Sequence, residues 1–257
     1  PLEIALCAQH NNGGLTIDKW WQTNVEGFFA AGEVSASHGV YRPGGTALNA
    51  GQVGSTRAAQ YIAANRKGDP MEHAAFIKAT SDAICEAIAL GEAVHADVNN
   101  VGTIWNKAAK RMSRFGAAIR SIEDIRKAAE EVKNELSNFA GAVKIHSKKD
   151  LYKVYRLHDI LLCQYIYLLS MIDYVENGGK SRGSAMYTDK NGKCPYDGLP
   201  DIFKYTLDDG TKGDMVQEVI YKNGKCKFSW RKVREIPEDD DFFENVWRSY
   251  RENGNVY

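Results

Sequence analysis

The side chains best suited to chemistry crowd into the first quarter of the chain. Residues 38–45 read HGVYRPGG. Pro43 stiffens the backbone directly after Arg42, and Gly44 and Gly45 permit positive φ and close approach of the backbone. An arginine held at such a loop suits a carboxylate or a phosphate, because its planar fork donates two parallel hydrogen bonds. The helix that follows offers free N–H groups to an anion or to an electron-rich ring edge. The same residues also suit a surface arginine beside a tight turn.

Two further positions belong with this loop. Residues 8–15, AQHNNGGL, put His10 at the end of a strand-like run with two glycines soon after it. Backbone N–H groups there can face a ligand while the imidazole donates a hydrogen bond. A turn histidine satisfied by backbone fits the same residues. Glu33 stands near the end of the apolar run GFFAAGEV, residues 27–34. An acid after a glycine at a strand end can accept hydrogen bonds from a ribose or another polyhydroxyl group. It can equally be an exposed loop acid.

Other chemistries find little support. His73, His95 and His146 read as surface or capping residues, and His158 as a core histidine. No His/Cys/acid set has metal-ligand spacing, so no metal site is expected. GxSxG, P-loop and GxGxxG patterns are all missing from the sequence. The five cysteines are scattered without a CxxC pair, which favours reduced, mostly buried thiols. Equal numbers of basic and acidic residues, 33 each, argue against nucleic acid or an anionic membrane as partner. The apolar run at residues 160–172 holds Gln164 and two tyrosines, is too short to span a membrane, and reads as a buried helix. Pro1 is followed by neither a basic nor an apolar leader region, so no signal peptide is expected.

Three zones must position these groups. Residues 1–66 are glycine-rich, with strand-like runs at 2–8 and 27–34. They end in a small-residue helix at 46–65, capped by Thr46 or a neighbour. Gly51, Gly54, Ala58 and Ala59 would let that helix approach a backbone or a flat ligand closely. Residues 67–180 read as an antiparallel three-helix bundle. The first helix starts at Asp69–Pro70 and runs to about residue 94. The second covers about 101–139, with apolar residues at helical period from Ile104 through Ala108, Ala109 and Met112 to Ile125. A capping box of Ser121 with Asp124 allows it to be two segments. The third runs from about Ser147 to a glycine stop at residues 176–179. Residues 181–257 read as a β-hairpin tail, with turn signals at 189–193, 208–213 and 222–225, then a short aromatic helix carrying Phe242, Phe243, Trp247 and Tyr250.

Taken together, AQHNNGGL, GFFAAGEV and HGVYRPGGTAL resemble the flavoprotein subunits of succinate dehydrogenase and fumarate reductase, and their relative L-aspartate oxidase. Downstream, IWNKAAKRMSRFGAAIR and LHDILLCQ…GGKSRGSAMYTD resemble the helical domain of that family. The match is good over about residues 8–190. Departures are a shorter interval between Gly–Glu and His–Gly, Pro43 in place of an apolar residue, and Ala47 where serine is usual.

The resemblance implies a fold that is mixed α and β but mostly helical: a C-terminal remnant of an FAD-binding domain, then the bundle, then the hairpin tail. It implies substrate-carboxylate contacts at His10, Arg42 and Gly45, and FAD contacts at Glu33 (ribose), Ala47 and Leu48 (ring). No residue of this chain matches the family's proton-transfer arginine. The chain is therefore expected to be a fragment whose parent transfers hydride between FAD and a small carboxylate. Alone it should neither turn over nor hold FAD tightly. Alternatives are a fragment of an L-aspartate-like amino-acid oxidase and a helical module that docks an electron-transfer protein. Implied partners are an N-terminal FAD domain, a small carboxylate and an iron–sulfur subunit, in the cytoplasm, with any membrane association through partners.

Overall fold

The computed structural model describes residues 13–38, 45–66, 68–183, 185–233 and 242–253. His10, Arg42 and the strand-like run at 2–8 lie outside them. In chain order the elements are α1 (Thr46–Asn65), α2 (His73–Ala93), α3 (Val101–Phe115), β1 (Ile119–Arg120), α4 (Ile122–Ser137), α5 (Phe139–Ala142), α6 (Leu151–Glu176), β2 (Met186–Lys193), β3 (Met215–Lys222), β4 (Lys225–Lys232) and α7 (Phe242–Asn253). The chain divides into two units: Pro1–Pro70 with Val233–Tyr257, and Met71–Lys232. None of the described helices is long and apolar enough to cross a membrane.

In the first unit, residues 27–34 do not form the expected strand. Among the described residues they make one isolated bridge, Gln22 to Phe29, flanked by the bonds Thr23 N–H to Phe28 O (2.9 Å) and Ala30 N–H to Trp21 O (2.9 Å), with Leu15 N–H donating to Val34 O (2.7 Å) at the far end. The reason is local. Gly27 and Gly32 take φ of 79° and 83°, which bends the backbone out of an extended path, and Glu33–Ser35 then closes as a 3₁₀ turn. Helix α1 follows, with Gly45 rather than Thr46 at its N-cap and no side-chain cap bond. On α7, Trp247 stacks on Tyr250 at 5.8 Å yet stays half-exposed, while the Tyr250 hydroxyl lies 3.3 Å from the Gln60 amide.

The second unit is built on three packed helices. Ala108 of α3, Ile125, Ala128, Ala129 and Val132 of α4, and Val154, Leu157, Leu161 and Leu168 of α6 are buried against one another. Burying each of the larger side chains contributes about 1.5–3 kcal/mol. The expected second helix is two, α3 and α4. The break falls after Phe115, and Ser121 caps α4 by accepting from the Asp124 N–H at 3.4 Å. Ala109, read into the apolar stripe, is exposed.

The expected first helix begins later than Asp69–Pro70, with Glu72 at its N-cap, and none of its residues is buried. Helix α2 attaches at its C-terminal end, where Leu90 packs on the core and the Tyr155 hydroxyl donates to Ala87 O at 2.7 Å. His158 is not a core histidine: 43% of its side chain is exposed and its ring meets the edge of Phe139. The described cysteines are not buried either, with Cys85 and Cys163 exposed and Cys194 and Cys226 intermediate.

A charged side chain sits inside this core. Arg111 is 4% exposed and donates to Gln164 Oε1 (3.1 Å), Glu131 (3.4 Å) and Glu135 (2.5 Å). The Gln164 amide in turn donates to Ala108 O at 2.8 Å. This network explains a glutamine in the apolar run of α6.

Helix α6 stops at residues 176–179, where Gly178 takes φ of 87° and the Gly179 N–H donates to Tyr174 O. The clearest hairpin pairs β3 with β4 antiparallel from Met215–Lys232 to Lys222–Lys225. Asn223 and Gly224 turn it with φ of 52° and 76°, as a type I′ turn requires. It docks on α6 through Asp173, which accepts from the Gln217 amide (2.7 Å) and the Trp230 indole (3.0 Å). The turn signal at 189–193 lies within β2. There the chain makes an excursion whose two sides, Thr188 and Lys193, both bridge Tyr205. Gly192 is needed at that excursion, because a Cβ there would lie 2.4 Å from the Tyr205 backbone.

Candidate functional site

Within the first unit, the turn at residues 31–38 and the start of α1 face each other. Gly32 opens the turn, and Ser35 holds it by donating to Gly32 O at 2.7 Å and lying 2.8 Å from the Ser37 hydroxyl. A Cβ on Gly51 would come within 3.7 Å of the Gly32 Cα, so the helix runs close beside the turn. Between them lies an open cleft of about 380 Å³, lined by Ala31, Gly32, Glu33, His38, Ala47, Leu48, Gly51, Gln52 and Ser55. That size falls in the range of about 300–1,000 Å³ common for small-molecule sites.

The other side of α1 fixes its position. Trp20 is buried and stacks on Tyr61 at 5.4 Å, with Phe29 tilted on the same ring at 6.1 Å. The Arg57 guanidinium lies 4.9 Å from the Trp20 ring, a cation–π contact. Arg66 pairs with Glu26 at 3.2 Å. Both arginines are thus engaged away from the cleft. Gly54 is a close-contact position, since a Cβ there would lie 2.3 Å from Trp21 Nε1. Of the two closely spaced glycines on α1, one approaches the turn backbone and the other meets a tryptophan.

Three of the sequence-predicted residues, Glu33, Ala47 and Leu48, are brought together in this one cleft. Leu48 is 79% exposed at its rim, and Gly45 is exposed just before α1. His10 and Arg42 lie outside the described residues. The glycines after His10 are partly described. Gly14 packs its Cα against Val34 O, where a Cβ would come within 2.3 Å, and Leu15 N–H donates to the same carbonyl. Sequence reasoning did not assign Gln52 and Ser55 to the cleft. Their spacing from Leu48, four and seven residues along one helix, was the available signal.

The residues present fit a planar, apolar-faced ring. Ala31, Gly32, Ala47 and Gly51 make a wall of small residues that a flat group can lie on, and Glu33, His38, Gln52 and Ser55 supply polar atoms around it. The cleft can take a ring system and leaves the rest of a dinucleotide to other residues. A bound flavin would supply hydride transfer there. Chemically, ionised Glu33 can accept from a hydroxyl, and the first turn of α1 carries N–H groups of the kind that suit an electron-rich edge.

A second cleft, of about 640 Å³, lies in the other unit between the starts of α3 and α6, beside Trp105, Tyr152, Lys153 and Arg156. No residue singled out in the sequence as a site residue faces it.

The sequence model of the FAD binding domain family matches residues 3–48. Over 74 residues, 28% of this chain, the sequence is 45% identical to a CoM/CoB fumarate reductase polypeptide of Methanothermobacter marburgensis, covering 14% of that protein. Over 182 residues, 70% of this chain, it is 28% identical to an uncharacterized FAD-dependent oxidoreductase of Methanocaldococcus jannaschii, covering 32% of it. The fold is similar to one polypeptide of a quinol-fumarate reductase solved with menaquinol molecules, with a TM-score of 0.60 and 19% identity over 88% of this chain and 37% of that one. The chain thus spans a third or less of the curated relatives it matches. Family model, relatives and fold agree with the small-residue cleft: over the lengths given, the chain is similar to FAD-binding flavoproteins of the fumarate reductase kind.

Proposed function

We propose that this chain supplies one wall of a flavin cleft to a longer oxidoreductase that moves hydride between FAD and a small carboxylate. The observation that carries the reading is the meeting of Glu33, Ala47 and Leu48 in one cleft beside the α1 N-terminus. Glu33 would hold the ribose, and the backbone at Ala47 and Leu48 would approach the ring. His10 and Arg42 would bind the substrate carboxylate, with the backbone near Gly45 as a further contact. Arg42 would also drain charge from the carbon that accepts or loses hydride. The proton-transfer group and the dinucleotide-binding segment would come from residues beyond this chain. Residues 1–66 would then be the end of an FAD domain and residues 67–180 the helical domain.

The test uses the full reading frame that carries this chain. Purified protein should hold FAD, and its reduced flavin should be reoxidised by fumarate or a related unsaturated carboxylate. An Arg42→Met variant should keep the flavin and lose carboxylate turnover by about a hundredfold or more. Reduction by L-aspartate, with no response to fumarate, would favour the amino-acid oxidase reading instead. The 257-residue chain by itself should bind no stoichiometric FAD.

One observation favours an additional docking role. Phe76, Ile77, Ile84 and Ile88 of α2 are each about half exposed. An iron–sulfur electron-transfer protein is the partner the reading calls for, and its co-purification with the full-length protein would support this role.

A further inference from the structure

Among the described residues, Gln52 is an uncommitted polar side chain on the cleft wall. Leu48, Gln52 and Ser55 share one face of α1. The Ser55 hydroxyl is engaged within the helix, donating to Gly51 O at 2.8 Å. The Gln52 backbone carbonyl accepts from the Thr56 hydroxyl at 2.9 Å, but its side-chain amide makes no hydrogen bond among the described residues. Gln52 is exposed and lines the cleft directly after Gly51, where the helix runs close beside the Gly32 turn.

We propose that Gln52 recognises the imide edge of the flavin's pyrimidine ring. The proposal rests on the flavin reading of the cleft and adds to it the residue that sets the orientation of the ring. The imide edge presents a carbonyl, an N–H and a second carbonyl in one plane. A primary carboxamide presents an acceptor and a donor in one plane, so the two edges form a pair of parallel bonds. The other cleft residues do not offer that combination. Ala31, Gly32, Ala47, Leu48 and Gly51 bring no polar side chain. Ionised Glu33 only accepts, the Ser55 hydroxyl is engaged, and the two nitrogens of His38 point apart. A ring lying on Gly51 brings its edge beside the next side chain, which is Gln52.

The experiment compares FAD with its N3-methyl analogue, which blocks the imide N–H, on the full-length wild type and a Gln52→Leu variant. Affinities are read by flavin fluorescence quenching, with circular dichroism as a check of folding. Wild type should prefer FAD by about tenfold, the worth of about one or two neutral hydrogen bonds. Gln52→Leu should lower FAD affinity by a similar factor and bind both flavins equally. Gln52→Glu, which keeps the size and loses the donor, should also lose the preference. Thr56→Ala, which removes the hydroxyl on the Gln52 backbone carbonyl and leaves the side-chain amide in place, should keep it. Wild-type affinity in Gln52→Leu, or the same penalty for N3-methylation in both proteins, would overturn the proposal. If wild type bound no flavin at all, the flavin reading itself would fall, and the proposal with it.

Discussion

At the scale of single residues, the chain places ionisable groups where folding changes their titration. Burial alone would raise the Glu135 carboxyl, but hydrogen bonds and charge from Arg111 and Lys107 outweigh it and hold the pKa below the ordinary carboxylate range. The stabilisation from this group is complete above that range and is lost as pH falls through the lowered folded value. Urea unfolding between pH 7 and pH 3 should therefore show a decline in stability that is smaller in Glu135→Gln. Arg111→Met should cost about 3 kcal/mol in the same measurement, the lower end for a broken buried pair, because Glu131 and Glu135 keep some solvent. Tyr174 behaves in the opposite direction. Burial, then Asp208 beside its hydroxyl, raise its pKa from 10.0 to about 12. Its contribution is full below about 10 and fades as pH rises toward 12. Absorbance titration at alkaline pH should lose its highest tyrosine step in Tyr174→Phe.

At the scale of elements, α1 is held by its contacts more than by its propensity. Gly51 and Gly54 both weaken a helix interior, yet one admits the Gly32 turn and the other the Trp21 indole. Gly54→Ala should destabilise the protein by about 1–3 kcal/mol in thermal unfolding, despite the better helix former, because the added methyl collides with a packed ring. The sequence patterns that survived into structure were those set by local physics. The 3.6-residue period marked α3, α4 and α6; Ser121 marked a cap; Asn223–Gly224 marked a hairpin turn. What local pattern could not give was tertiary choice. GFFAAGEV has the composition of a strand, but two positive-φ glycines fold it into a turn. Helix α2 is rich in alanine and isoleucine on all sides, so its composition named no buried face. Glu33, Ala47 and Leu48 were reachable through motif order, whereas Gln52 carries no signature beyond its distance from Leu48. His158 was misread because a histidine on an apolar helix can still lie at its solvent edge.

At the scale of the whole molecule, the central claim is that the cleft between residues 31–38 and α1 is where the flavin ring sits. The matches cover 14% and 32% of the curated relatives, which supports the proposal that the complete reaction belongs to a longer polypeptide, with this chain contributing one face of the site. Hydrogen–deuterium exchange of the full-length protein, without and with FAD, tests the claim most directly. The account predicts slowed exchange on FAD addition in peptides spanning 31–38 and 45–55, and little change in β3 and β4. FAD bound stoichiometrically with no protection in either of those two segments would contradict it.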